Sequence, residues 1–174
     1  IKDVPESFNL KSIQVLGFEA DDLIASYAKI AQEKNIKITI VSSDKDLMQL
    51  LNENILMLDP MKNIEIRDKH VFEKFGVYPK QVIDVQSLAG DSSDNVPGVP
   101  GIGIKTAALL INEYGSLENL LENCEKIQQN KRRESISNNK DLAIISKKLV
   151  TLKDDVQLPI PIEDLSFQPI DKVK

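Results

Sequence analysis

The sequence has no tryptophan, one cysteine (Cys124) and one histidine (His70). A lone thiol excludes an intrachain disulfide and any zinc site built on cysteines, and it suits a reducing, cytoplasmic setting. Five Phe and three Tyr complete the aromatic set, too few for a platform on which successive unpaired bases stack. No apolar run approaches the ~20 residues of a membrane span, and no signal peptide is visible. Internal repeats and low-complexity tracts are missing, as is any nucleophile-and-base arrangement for covalent catalysis. What remains is 174 residues, 41% of them hydrophobic, enough for one core of ordinary size with or without a small appendage. The chain opens on Ile1 rather than Met and reads as the inner part of a longer protein, expected to be monomeric and away from membranes.

A net charge of −5 argues at first sight against a polyanionic partner, but distribution matters more. Acids dominate residues 1–100. Residues 101–150 are basic, with Lys105, Lys131, Arg132, Arg133, Lys140, Lys147 and Lys148. Cations bound by the acids would neutralise their field locally.

Periodicity predicts a helix over Ala20–Glu33, a buried strand at Lys37–Val41 and a short helix over Asp46–Leu51. A second strand follows at Ile55–Leu58, with Asn63–Ile66 pairing to it across Pro60–Lys62. Asp68 is placed to cap a helix to Phe75, and Pro79 to start one that runs to Ala89. Gly90–Gly103 is a loop. Ile104–Tyr114, Ser116–Asn123 and Lys140–Val150 read as helices, with Gly115 ending the first of them. Alternating strands and helices, then helices alone, predict an α/β layer followed by a helical region.

Seven acids fall in three short clusters at element boundaries: Glu19, Asp21 and Asp22; Asp44 and Asp46; Asp91 and Asp94. Capping accounts for acids in a first helical turn, and Asx-turns for acids in a Ser/Asn/Gly loop. Three clusters together exceed those needs. Carboxylates that gather without Cys or His point to a hard cation, Mg²⁺ or Mn²⁺. In extended backbone Asp44 and Asp46 share a face just past a strand end, where α/β sheets collect ligands. Two such ions, roughly 3.5–4 Å apart, suit phosphodiester hydrolysis.

NVPGVPGIGIKTA carries Gly98, Gly101 and Gly103 but matches neither the P-loop, since Ile104 stands where Lys belongs, nor the dinucleotide fingerprint, since no strand precedes it. Its glycines let backbone amides approach a phosphate at the N-terminus of the following helix, where Lys105 and Thr106 add contacts. Such contacts position a nucleic-acid backbone without reading sequence. Lys131–Arg133 reads as a solvated face that can add a backbone contact. His70 reads as a surface or satisfied residue.

GFEADDLIASYA, VSSDKDLMQLL and LAGDSSDNVPGVPGIGIKTA, in this order and spacing, closely resemble the flap endonuclease family, in its form as the 5′→3′ exonuclease domain of bacterial DNA polymerase I. YPKQVID and SKKLVTLKDDV extend the likeness over nearly the whole chain. The resemblance implies a PIN-like α/β core with a parallel sheet and a helix–three-turn–helix that grips duplex DNA, commonly with K⁺. It implies residues 1–67 as part of the core, 68–150 as the DNA-binding helices, and 151–174 as a segment packing back on the core. It makes Glu19, Asp21, Asp44, Asp46, Asp91 and Asp94 ligands of two Mg²⁺ or Mn²⁺ ions, with Asp22 an accessory acid. Gly98, Gly101, Gly103 and Lys105 fall on the DNA-binding turn. The implied activity is removal of 5′ flaps and RNA primers from flap, nicked or primed DNA in replication and repair, near the nucleoid, with a polymerase domain able to follow.

The family's upstream part carries a first strand with its Asp, a further Asp ligand and the residues that engage the 5′ end. This stretch is therefore expected to keep its grip on DNA better than its cutting. A non-catalytic DNA-binding module is the second reading. An RNA-cutting PIN-type toxin ranks lower, because it has no need of the glycine-rich helix pair.

Overall fold

Leu23, Ala25, Ala28 and Ala31 recur at helical spacing and are all buried on α1 (Ala20–Glu33). Asp22, in the first turn, accepts the Glu19 N–H at 3.3 Å and closes the helix start. Its other oxygen accepts the Lys153 N–H at 2.9 Å. Ser26 Oγ donates to the Asp22 carbonyl at 2.8 Å and accepts the Val156 N–H at 3.1 Å, and Tyr27 donates to the Ile160 carbonyl at 2.8 Å. Ion pairs Lys29–Asp154 and Lys34–Glu163 fasten the same segment to the helix. The computed structural model describes residues 4–5 and 8–166. These contacts lie in one of its two compact units, the described parts of Ile1–Ile38 with Lys153–Lys174; Thr39–Leu152 forms the other. Residues 167–174 of the expected C-terminal segment, and 1–3 and 6–7 of the expected core, lie outside the described residues.

β1 (Ile38–Val41), β2 (Ile55–Asp59) and β3 (Ile64–Ile66) form a three-stranded sheet in that order. β2 alternates as a half-buried strand should, with Ile55, Met57 and Asp59 inside. Of the expected parallel sheet, β2 and β3 depart: they run antiparallel, with Met57 opposite Ile66 and Asp59 opposite Ile64. The short Pro60–Asn63 turn allows nothing else, since a parallel crossover needs a dozen or more residues. Asp59 sets that turn by accepting the Met61 N–H at 2.9 Å and the Ser43 hydroxyl at 2.7 Å.

Next come α2 (Asp68–Phe75), α3 (Val82–Ala89) after a 3₁₀ turn at Pro79–Gln81, α4 (Ile104–Tyr114), α5 (Leu117–Glu122), α6 (Asn130–Asn138) and α7 (Lys140–Val150). Asp68 is not the cap of α2. Arg67 holds that position, and His70 Nδ1 accepts its N–H at 3.1 Å. α3 is the hub and packs against α4, α5 and α7. Val82, Val85 and Leu88 are wholly buried on it, each worth about 2 kcal/mol of apolar burial.

Asp84, also buried, receives Lys147 Nζ from α7 at 2.7 Å and the Leu117 N–H from α5 at 3.2 Å. Lys147 also reaches Glu118 at 2.7 Å. Burial pulls the Lys147 pKa down, but its two carboxylate partners outweigh this and hold it above the ordinary lysine value. Among the described residues no helix is long and apolar enough to cross a membrane.

Candidate functional site

Asp46 opens a 3₁₀ turn, Asp46–Leu50, just beyond β1. Asp91 and Asp94 lie in the loop that leaves α3. Reciprocal backbone bonds between Asp91 and Val96, at 2.9 and 2.8 Å, pinch that loop shut, and Asn95 takes a left-handed conformation within it (φ 55°). The two elements bring one carboxylate oxygen each from Asp46, Asp91 and Asp94 within 4.8 Å of one another. Asp46 and Asp91 are half-buried and Asp94 is exposed. An oxygen-only trio so placed fits a hard divalent cation.

Two cationic or amide groups support the trio. Lys45 forms an ion pair with Asp91, and Gln86 Nε2, from α3, donates to Asp46 Oδ1 at 2.6 Å. Burial raises the Asp46 pKa; the Gln86 bond opposes the shift, and the Asp44 charge adds to it. Burial would raise Asp91 too, but the Lys45 ammonium and the Ser93 N–H win and hold it below the usual carboxylate range. Lys45 in turn is raised, chiefly by its bond to Asp91.

Asp44 is exposed and accepts the Asp46 N–H at 3.0 Å. It stands outside the trio. The expectation that Asp44 and Asp46 share a face assumed extended backbone, whereas Lys45 between them is helical (φ −68°, ψ −24°), so the two-residue alternation does not apply. Asp91 Oδ1 also accepts the Ser93 N–H at 2.9 Å, the Asx-turn that was the structural alternative for this residue. Glu19, Asp21 and Asp22 belong to the other unit. There Glu19 is exposed at the N-cap of α1, and both Asp22 oxygens are engaged by backbone N–H groups.

The glycine turn divides into a structural and an open half. Gly98 has φ +62°, and a Cβ there would stand 2.4 Å from the Gly90 nitrogen. Its N–H is spent inside the protein, on buried Ser146 Oγ at 2.9 Å. The expected amide approach to a phosphate therefore does not extend to Gly98, whose role is to close the loop onto α3 and α7. Around Gly101 and Gly103, by contrast, a Cβ would meet nothing within 4 Å. Gly103 caps α4 without a side-chain bond, which leaves the first-turn amides of Ile104, Lys105 and Thr106 facing outward from the helix end. Lys105 is exposed there. Gly101 and Thr106 share a cleft of about 310 Å³ with Lys131 and Arg132 of α6.

Gln86 and Ser146 were missed as functional candidates. A glutamine inside the apolar run VIDVQSLA was the available signal; nothing marked Ser146.

Models of two families match. The 5′-3′ exonuclease C-terminal SAM fold covers residues 77–173, and the 5′-3′ exonuclease N-terminal resolvase-like domain covers residues 1–76. A DNA polymerase I from Rhizobium leguminosarum is 51% identical over 97% of this chain and 17% of its own length. A 5′-3′ exonuclease from Buchnera aphidicola is 41% identical over 94% of this chain and 59% of its own length. One from Aquifex aeolicus is 40% identical, over 97% and 57%. The chain thus spans less than two thirds of the relatives it matches. Among solved structures, the T5 5′-exonuclease with bound divalent zinc ions superposes with a TM-score of 0.74 at 25% identity, covering 80% of this chain and 52% of that one. The catalytic core of Rad2 in complex with DNA shares the fold at 17% identity, with a TM-score of 0.58 over 98% of this chain and 59% of that one. With both models together spanning the sequence from Ile1 to residue 173, the chain belongs to the 5′-3′ exonuclease family.

Proposed function

We propose that the protein containing this chain is a divalent-metal-dependent 5′→3′ exonuclease and 5′-flap endonuclease, hydrolysing DNA phosphodiesters during flap and primer removal. The observation that carries this reading is the convergence of Asp46, Asp91 and Asp94 from two separate elements. Asp46, Asp91 and Asp94 would hold Mg²⁺ or Mn²⁺, with Asp44 as a further candidate; Glu19, Asp21 and Asp22 are proposed as metal ligands on the motif resemblance alone. Bound cations would activate water, orient the phosphate and stabilise the leaving oxygen. The chain's own share is to keep the carboxylates ionised and aimed, through Lys45 and Gln86.

Gly101, Gly103, Lys105 and Thr106, with Lys131 and Arg132, would hold duplex backbone; K⁺ at the same turn is proposed on the family resemblance alone. Gly98 would shape that turn rather than touch DNA. We further propose the organisation 1–67, 68–150 and 151–174, a monomeric cytoplasmic protein near the nucleoid, and a linked polymerase domain, as in the relatives named DNA polymerase I.

The test is cleavage of a labelled 5′-flap DNA by the intact protein and its Asp46→Ala variant. Loss of a ligand predicts a fall beyond about 100-fold, the upper cost of losing a group that merely orients one. Unchanged Mg²⁺-dependent cutting overturns the assignment. The cleft beside Gly101, which lies wholly within Thr39–Leu152, favours a second reading for this stretch alone, as a structure-selective DNA-binding module. Salt-sensitive flap binding with no cleavage in Mg²⁺ or Mn²⁺ would select it.

A further inference from the structure

Gln86 is buried on α3 near Val85 and Leu88, which are wholly buried, and beside Asp84 and Ser87, whose polar atoms have partners. Only 3% of its surface is exposed. Its carboxamide makes one hydrogen bond, from Nε2 to Asp46 Oδ1 at 2.6 Å. Its oxygen, Oε1, is buried with no partner among the described residues. A glutamine there forfeits apolar packing and leaves an acceptor unsatisfied, and each unsatisfied buried polar atom needs an explanation. The bond to Asp46 is thus obtained at the expense of forfeited packing and an unsatisfied acceptor.

The direction of the bond supplies that explanation. The amide offers its N–H₂ edge to the Asp46 carboxylate, which leaves Oε1 buried without a donor among the described residues. Among the described residues Asp46 Oδ2 takes no hydrogen bond, so one oxygen is anchored and the other left available. Asp94, exposed on its loop, has no comparable anchor, and Asp91 is held by Lys45.

We infer that Gln86 is a positioning residue: it pins Asp46 as an oriented ligand for the divalent cation and accepts an unsatisfied oxygen in return. Outer partners that orient metal ligands act in this way. The inference rests on the metal-binding reading of the acid trio, so the test separates the two. Mn²⁺ binding to the intact protein is titrated by electron paramagnetic resonance for the wild type, Gln86→Met and Asp46→Asn, with Gln86→Leu as a second apolar replacement if the first does not fold.

The Asp46-dependent Mn²⁺ site is expected to weaken about 10–100-fold in Gln86→Met. The half-saturating Mg²⁺ concentration for flap cleavage should rise in parallel, while KM for DNA holds. If Asp46→Asn loses the Mn²⁺ site and Gln86→Met keeps wild-type affinity, the inference for Gln86 is overturned and the metal reading stands. If Asp46→Asn itself leaves Mn²⁺ binding intact, the reading beneath it falls as well.

Discussion

Lys147→Met puts the helical scaffold to a quantitative test. Lys147 ties α7 to α3 through Asp84 and to α5 through Glu118, both at 2.7 Å. The Asp84 side chain is only 10% exposed, and without Lys147 its Oδ1 has no donor, while Oδ2 keeps the Leu117 N–H at 3.2 Å. Removing one member of a buried pair costs about 3–5 kcal/mol, because the other charge stays behind unpaired. The Lys147 side chain is 30% exposed, which places the expected cost near the lower end, about 3 kcal/mol. For a chain of this size that lowers Tm by roughly 6–12 °C. Urea denaturation and thermal melting measure it. The Asp84→Asn/Lys147→Met double variant should recover a large part, since the stranded charge is gone. Glu118→Gln, on an exposed partner, should cost under about 1 kcal/mol. If Lys147→Met costs no more than Glu118→Gln, the claim that a buried ion pair organises the three helices is wrong.

Two further outcomes follow from the same geometry. Gly98→Ala, at φ +62° with backbone atoms of Ala89 and Gly90 under 3 Å from the added carbon, should destabilise by more than the ~1–2 kcal/mol of a left-handed alanine alone. Gly101→Ala, at φ +76° in open space, should cost only about that strain; equal midpoints for the two in urea would refute the division of the turn. Glu118, through Lys147, and Asp91, where Lys45 outweighs burial, titrate below their ordinary range, so their stabilisation is complete above about pH 4 and drains away as pH falls through the depressed values. Asp46, raised by burial, acts oppositely and relieves a cost when protonated. Denaturation midpoints measured down to acid pH should decline below about pH 4, less steeply in Lys147→Met; an identical slope in both proteins would contradict this.

The elements with strong apolar rhythm were legible in the chain. α1, α4 and α7 occupy the residues their spacing predicts, because one face of each is buried. α6 was missed for the converse reason: NKRRESISN buries only Ile136, so it shows no periodicity and reads as a charged surface run. The acid clusters were visible as composition, but which acids converge depends on backbone that local reasoning did not foresee, above all the helical turn at Lys45 that removes Asp44 from Asp46's face. Tertiary bonds were illegible for the same reason. Gly98 looked like a phosphate-facing glycine until Ser146, 48 residues away, took its N–H. Gln86 acquires meaning only once α3 places it against Asp46.

The central claim is that Asp46, Asp91 and Asp94 form a cation site. The direct measurement is anomalous diffraction from crystals of the intact protein soaked in Mn²⁺. The account predicts a peak among those three carboxylates. Well-ordered carboxylates with no peak among them, or Mn²⁺ found only elsewhere, would contradict it.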